Sequence, residues 1–295
     1  MLAAAALWAT TGLWAKAAYG HGVGPVEAAS ARGAAAFLIL TAWALARPRR
    51  FRVPRRDLPL LIGYGVVGLG VFYAVYLSAL DRLSVSVAAA LLYTAPAFTV
   101  ALAGVVLGER VTRRRLAALA GALLGVLFVT GALGARAAGI DPVGVGLGLL
   151  AGLTYAGYTL FGRAARGRMD AVRALYWPTG FGAAFLALLA PPWQTVLDHP
   201  GAVPALLGMA VVATLLPNLC FLIALGRMEA GTAAILATLE PVMAALYGVV
   251  LLGEALSGGQ GFGVAVIAAS AAWLAISRSA PRPVADAPVA TVPRR

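Results

Sequence analysis

Glu240 stands inside an otherwise apolar run, ten residues beyond Ala230 and twelve before Leu252. At 1.5 Å per helical residue it lies ~14 Å into that run, near the centre of a ~30 Å hydrocarbon core. An ionisable group at such depth costs at least ~2.5–3.5 kcal/mol on insertion scales, so a partner or a function is expected for it. Two chemistries suit it: a carboxylate that binds an ammonium group, or an acid that carries a coupling proton. A structural alternative is a hydrogen-bonding Glu that satisfies backbone groups freed by Pro241, since proline removes one N–H and disturbs the carbonyl four residues back. Arg32 offers the complementary charge, either receiving a carboxylate or closing a structural salt bridge. Glu27, five residues before it, is poorly spaced to pair with it on one helix. Lys16 is placed to snorkel to an interface.

The polar groups that could share a pocket with these charges sit on helical spacings. Tyr73/Tyr76 and Tyr155/Tyr158 are i,i+3 pairs, each presenting one hydroxyl-bearing face, and Tyr93, Trp8 and Thr11 fall at similar depths. Asn218, after Pro217, suits either a helix-packing hydrogen bond or a ligand contact. A pocket for a small amphiphile needs apolar walls and a few placed polar groups. The candidate substrate-binding set is therefore Trp8, Thr11, Arg32, Tyr73, Tyr76, Tyr93, Tyr155, Tyr158, Asn218 and Glu240. Pro96 and Pro241, at equivalent depths, are candidate hinges or fixed kinks. Trp14, Tyr19, Trp193 and Trp273 fit an interfacial belt better. Gly121/Gly125 and Gly144/Gly148/Gly152 are small-residue seams for close helix packing. Two isolated histidines, His21 and His199, are too few for a metal site, and Cys220, the sole cysteine, excludes a disulfide framework. No Gly-x4-Gly-Lys nucleotide motif is present, so no cofactor and no metal are expected.

The elements that must position these residues follow from composition. Of 295 residues, 61% are hydrophobic and 12% charged, and the mean hydropathy is +0.89; a soluble domain is nearer half apolar and a quarter charged. A water-soluble enzyme is excluded. Windows of about 20 apolar residues predict ten spans, at 2–19, 26–46, 58–79, 85–107, 116–134, 142–162, 173–190, 204–225, 230–252 and 261–277. No cleavable signal peptide is expected, because Met1 runs directly into apolar sequence. Nineteen of the 23 basic residues fall on one side of this arrangement, including the Arg47–Arg56 stretch and the Arg110–Arg115 loop, against Arg82 and Arg136 on the other. The positive-inside rule then places both termini in the cytoplasm of a multi-pass inner-membrane protein. The net charge of +12 is topological, and nucleic acid is not an expected partner. The tail, 278–295, is Pro/Ala/Arg-rich without periodicity and is expected to be a disordered cytoplasmic segment.

The two halves also resemble each other. Residues 76–109 and 221–254 align without a gap at a spacing of 145, with twelve of 34 positions identical, among them Arg82/Arg227, Pro96/Pro241, Gly108/Gly253 and Glu109/Glu254. Glu109 and Glu254 end their spans beside glycine, which suits a shared capping or interface role. Five spans per repeat is an odd number, so the second repeat enters the membrane inverted. The expected fold is all-α integral membrane, ten transmembrane helices built from two inverted five-helix repeats, 1–137 and 138–277. Inverted repeats are a common construction of secondary transporters, with the substrate at the midplane between the halves.

The segments Leu92-Tyr93-Thr94-Ala95-Pro96 and Leu239-Glu240-Pro241-Val242, each running on to Gly-Glu, together with Pro25 followed seven residues later by Arg32, resemble the drug/metabolite transporter superfamily, in particular its EamA-like branch. The resemblance covers essentially residues 1–277; at the start, the basic residues usual before span one are missing. It implies a transporter of small metabolites, often amino acids, and not an enzyme. The expectation is an exporter working by alternating access around a midplane cavity, as a monomer in the lipid bilayer with a small-molecule substrate and proton coupling as an option. A passive facilitator or channel, or a flippase of lipid-linked small molecules on the same fold, are the alternatives.

Overall fold

The structure is a computed structural model, and it describes residues 1–47, 51–83, 85–132, 141–252 and 255–276. Gly253, Glu254, Arg49, Arg50, Arg136, the boundary at 137/138 and the 278–295 tail lie outside the described residues. Among the described residues all regular structure is helical, as the apolar composition demands: in hydrocarbon, only a helix or a closed barrel satisfies its own backbone. The helices are α1 (Leu2–Ala9), α2 (Thr11–Tyr19), α3 (Pro25–Ala46), α4 (Arg55–Leu80), α5 (Val85–Leu92), α6 (Ala95–Val106), α7 (Arg113–Val129), α8 (Pro142–Arg166), α9 (Ala171–Leu189), α10 (Pro192–Asp198), α11 (Pro200–Leu225), α12 (Ala230–Ala237), α13 (Leu239–Leu252) and α14 (Gly258–Ile276). Among the described residues, eight stretches are long and apolar enough to cross a membrane: α3, α4, α5–α6, α8, α9, α11, α12–α13 and α14. The predicted first and fifth spans are not among them; Thr10 divides the first into α1 and α2, and α7 in the fifth has only 17 residues.

Three helix breaks share one device. Thr10, Thr94 and Thr238 each stop a helix and donate the hydroxyl hydrogen to the carbonyl three residues back, on Leu7, Leu91 and Ile235, at 2.7, 2.6 and 2.6 Å. A hydroxyl that takes a backbone carbonyl in this way offers the chain an alternative to the next helical bond. Pro96 and Pro241 therefore do not kink continuous helices, as expected from the sequence. Each falls in the first turn of a new helix, α6 or α13, where its missing N–H costs nothing. Two π-helical stretches, Val66–Val71 in α4 and Val211–Leu215 in α11, begin 145 residues apart. Neither is visible in hydrophobic periodicity.

The helices pack chiefly across the two halves, and the contacts come in exchanged pairs. α1 lies against α11 and α13, as α8 lies against α4 and α5–α6; α3 runs along α9, and α7 along α14. Small residues allow this closeness. A Cβ on Gly125 would meet the Gly263 carbonyl oxygen at 2.9 Å, and one on Gly148 would meet Leu91 Cδ1 at 2.6 Å, the backbone approach that apolar bundles use in place of a hydrophobic driving force. Trp14 lies on Gly208, where a Cβ would meet the ring at 2.3 Å, and Trp193 and Trp273 are exposed. The two histidines, isolated in the sequence, clasp adjacent turns: His199 packs on Gly22 and His21 on Gly201.

Candidate functional site

A cavity of about 270 Å³ lies where the broken helices converge. All ten sequence-derived candidates line it: Trp8 and Thr11 from α1 and α2, Arg32 from α3, Tyr73 and Tyr76 from α4, Tyr93 beside the α5–α6 break, Tyr155 and Tyr158 from α8, Asn218 from α11, and Glu240 from α13. Sequence reasoning missed Gly68, Leu69, Phe72, Ala89, Leu92 and Ala213. Phe72 was legible in principle, since it adjoins Tyr73 and lies four residues before Tyr76. Gly68 and Ala213 sit in the two π-helical stretches, and no local signal marks those.

The wall is a run of rings. Phe72 stacks on Tyr76 and Tyr155 at 6.0 and 5.2 Å between centroids, Tyr155 on Tyr158 at 5.8 Å, and Tyr158 on Phe221 at 5.4 Å, with Trp8 tilted against Phe221 at 5.2 Å. Gly68 lets α4 approach α8 there: a Cβ would sit 2.9 Å from Tyr158 Cα. Polar links stitch the floor, with Asn218 Oδ1 accepting hydrogen bonds from Trp8 Nε1 and from the Tyr158 hydroxyl, both at 3.1 Å.

Two charges face this space. Arg32 is buried, and its guanidinium carbon lies 4.4 Å from the centre of the Tyr73 ring, a cation–π contact that holds the cation without neutralising it. Among the described residues it has no salt-bridge partner. Glu27, its neighbour on α3, is engaged elsewhere: its carboxylate accepts from the Gly24 backbone N–H at 2.7 Å and caps the helix. Glu240 interacts electrostatically with Arg32, Tyr76, Tyr93 and Tyr155. The cavity thus brings a basic and an acidic side chain together among aromatic walls.

The far ends of α6 and α12 are tied by charge. Glu109 accepts from the backbone N–H groups of Ala230 and Gly231 at 2.6 and 3.1 Å and so caps α12 from another segment. Arg115, buried, lies 3.5 Å from Glu109 and pairs with Glu229. The capping or interface role expected of Glu109 is thereby located; its repeat mate Glu254 lies outside the described residues. On α8, Arg163 and Arg166 donate to the Leu225 and Leu222 carbonyls at 2.9 and 3.0 Å, closing the C-terminal end of α11.

The profile of the EamA-like transporter family matches residues 1–131 and 142–276. The threonine/homoserine exporter RhtA of Escherichia coli (strain K12) is 32% identical over 228 residues, 76% of this chain and 74% of the relative. A probable amino-acid metabolite efflux pump of Salmonella typhimurium (strain LT2) is 30% identical over 228 residues, 73% and 76% of the two chains. An uncharacterised transporter of Archaeoglobus fulgidus is 32% identical over 214 residues, 70% and 76%. A solved crystal structure at 22% identity superposes with a TM-score of 0.75 over 93% of this chain and 94% of the other, a likeness of fold.

Proposed function

This chain belongs to the EamA-like transporter family, a multi-pass membrane transporter by kinship, and from that premise we propose that it exports small zwitterionic metabolites, amino acids first among them. The single observation that carries the reading is one cavity lined by both Arg32 and Glu240 among aromatic side chains. A free α-amino acid presents a carboxylate and an ammonium, and these two residues supply the matching counter-charges in a poorly solvating site where each pairing is strong. At about 270 Å³ the cavity is just under the ~300–1,000 Å³ typical of pockets for drug-sized ligands, which suits a metabolite. Relatives whose names specify threonine, homoserine and amino-acid metabolites support the same class.

Alternating access is the proposed mechanism, in ten spans forming two inverted five-helix repeats, 1–137 and 138–277, with both termini cytoplasmic. Its support is the pair of family matches, the π-helical stretches 145 residues apart, and the exchanged contacts between halves. Broken helices at the site depth are a recurring feature of such carriers, because freed backbone groups are tolerated where they line a cavity. The lining from α5–α6 stops at Tyr93, whereas the Glu109-capped start of α12 lies ~15 Å from Glu240 by helical rise. That supports a state closed at the Glu109 end, the cytoplasmic end in this topology, with the cavity in the outer half.

The test is counterflow in proteoliposomes of the full chain. Radiolabelled threonine should accumulate against trans-loaded unlabelled threonine in wild type, and neither Arg32→Gln nor Glu240→Gln should support more than a small fraction of that flux. Wild-type vesicles that exchange none of the proteinogenic amino acids would overturn the substrate class. An imposed pH gradient that drives net uptake would establish proton coupling; a flux indifferent to it would make the chain a uniporter.

A further inference from the structure

Asn218 is held by an indole of fixed polarity and by a tyrosine hydroxyl. Its Oδ1 accepts from Trp8 Nε1 at 3.1 Å and from the Tyr158 hydroxyl at 3.1 Å. An indole nitrogen can only donate, so a flipped amide would set N–H against N–H, and Trp8 thereby dictates which end of the amide points where. With Oδ1 fully used, Asn218 has only the two Nδ2 hydrogens left to offer. No side chain or backbone carbonyl among the described residues accepts them, yet Nδ2 is not sealed in the interior, where the side-chain atoms without a partner are Ser30 Oγ and Arg114 Nε. Asn218 lines the cavity, so an acceptor bound there lies beside its amide.

We infer that Asn218 is a specificity-determining residue whose Nδ2 hydrogens bind an acceptor-only oxygen of the substrate, a carboxylate, and that Trp8 and Tyr158 are positioning residues that hold the amide in its donating orientation. The inference rests on the reading of the cavity as a site for small zwitterions and adds to it a neutral donor whose bond to a carboxylate is stronger than its bond to an alcohol oxygen. Arg32 supplies charge; Asn218 supplies direction. A site built to hydrogen-bond a substrate group discriminates sharply against an analogue lacking it, because the protein group is then left unpaired. A hydrogen bond to a charged group is worth enough to change affinity about 10- to 100-fold.

The experiment uses the full chain, purified and reconstituted, with L-threonine and L-threoninol as probes, the second replacing the carboxylate by a hydroxymethyl group. Wild type should bind threonine at least about 10-fold more tightly than threoninol. Asn218→Asp keeps an oxygen for Trp8 and Tyr158 but has no N–H, and should lower the ratio about 10-fold, chiefly by weakening threonine, with Arg32 retaining the remainder. Trp8→Phe keeps the ring but releases the amide to flip, and should lower the same ratio while changing threoninol affinity little; it serves as the readout if Asn218→Asp does not fold. A folded Asn218→Asp or Trp8→Phe that keeps the wild-type ratio reduces Asn218 to a helix-packing link and overturns the inference alone. Wild type that binds threonine and threoninol equally overturns both the inference and the assignment of Arg32 to the carboxylate, and wild type that binds no amino acid removes the reading of the cavity beneath it.

Discussion

Replacing Glu109 by alanine tests whether the charged tie at the start of α12 holds the bundle together. The substitution removes the acceptor for two backbone N–H groups, on Ala230 and Gly231. Loss of a helix cap costs about 0.5–2 kcal/mol, with a carboxylate at a partly buried helix N-terminus toward the upper end. It also strips one partner from Arg115, which is only 4% exposed. Breaking a buried pair outright costs about 3–5 kcal/mol, but Arg115 keeps Glu229 and the Arg110 carbonyl, to which it donates at 3.0 Å, so only part of that applies. The expected total is about 2–4 kcal/mol, or roughly 4–15 °C in Tm at ~2–4 °C per kcal/mol. Glu109→Gln, which retains an oxygen for one N–H, should lose about half as much. Adding Arg115→Met to Glu109→Ala should recover part of the loss, since an apolar side chain needs no partner there. Thermal unfolding of the detergent-solubilised variants, followed by intrinsic tryptophan fluorescence, measures all three. A Glu109→Ala protein that melts within 1 °C of wild type would show that the carboxylate contributes nothing, and the reasoning fails.

Glu240→Gln should fold and insert normally, and in proteoliposomes lose amino-acid flux or its response to pH; unchanged flux with unchanged pH response would make Glu240 a structural hydrogen-bonding residue. Gly152→Leu should sharply lower folded yield, because even a Cβ there would meet Thr94 Oγ1 at 2.6 Å and the Leu91 carbonyl oxygen at 3.0 Å, and overpacking costs about 1–3 kcal/mol or more; wild-type yield and Tm would show that α8 can move away from α5–α6. Asp141 caps α8 through the Val143 N–H and pairs with Arg82 at 3.0 Å, and the hydrogen bond from Arg82, with that from Val143, holds its carboxyl below the usual carboxylate range. Its contribution is therefore present at neutral pH and lost as pH falls through that lowered value, so melting curves of wild type and Asp141→Asn should differ at neutral pH and converge in acid; a constant difference across the titration refutes the assignment. For topology, in a Cys220→Ser background, cysteine at Arg55 should resist an impermeant maleimide in intact cells and cysteine at His199 should label, and the reverse pattern would overturn the proposed orientation.

Composition and periodicity by themselves determined that this chain is helical and membrane-embedded, because burying backbone in hydrocarbon leaves few other solutions. They also singled out Arg32 and Glu240, since a charge inside an apolar run is costly enough to be conspicuous from one sequence. The tyrosine pairs were legible for the same local reason: i,i+3 spacing puts both hydroxyls on one helix face. What no local pattern carried was where the chain stops being a regular helix. Thr10, Thr94 and Thr238 look like ordinary threonines, and only the packed bundle shows that each ends a helix and leaves Pro96 and Pro241 as first-turn residues. Nor did the π-helical stretches at Val66–Val71 and Val211–Leu215 leave any trace in the hydrophobic pattern, because one extra residue per turn alters hydrogen-bond register without altering composition. The partners of Asn218 and Glu109 come from positions 210, 60 and 121 or 122 residues away. Such pairings depend on how closely backbones approach across the two halves, and that distance is set jointly by glycines on several helices, a property of the tertiary structure alone.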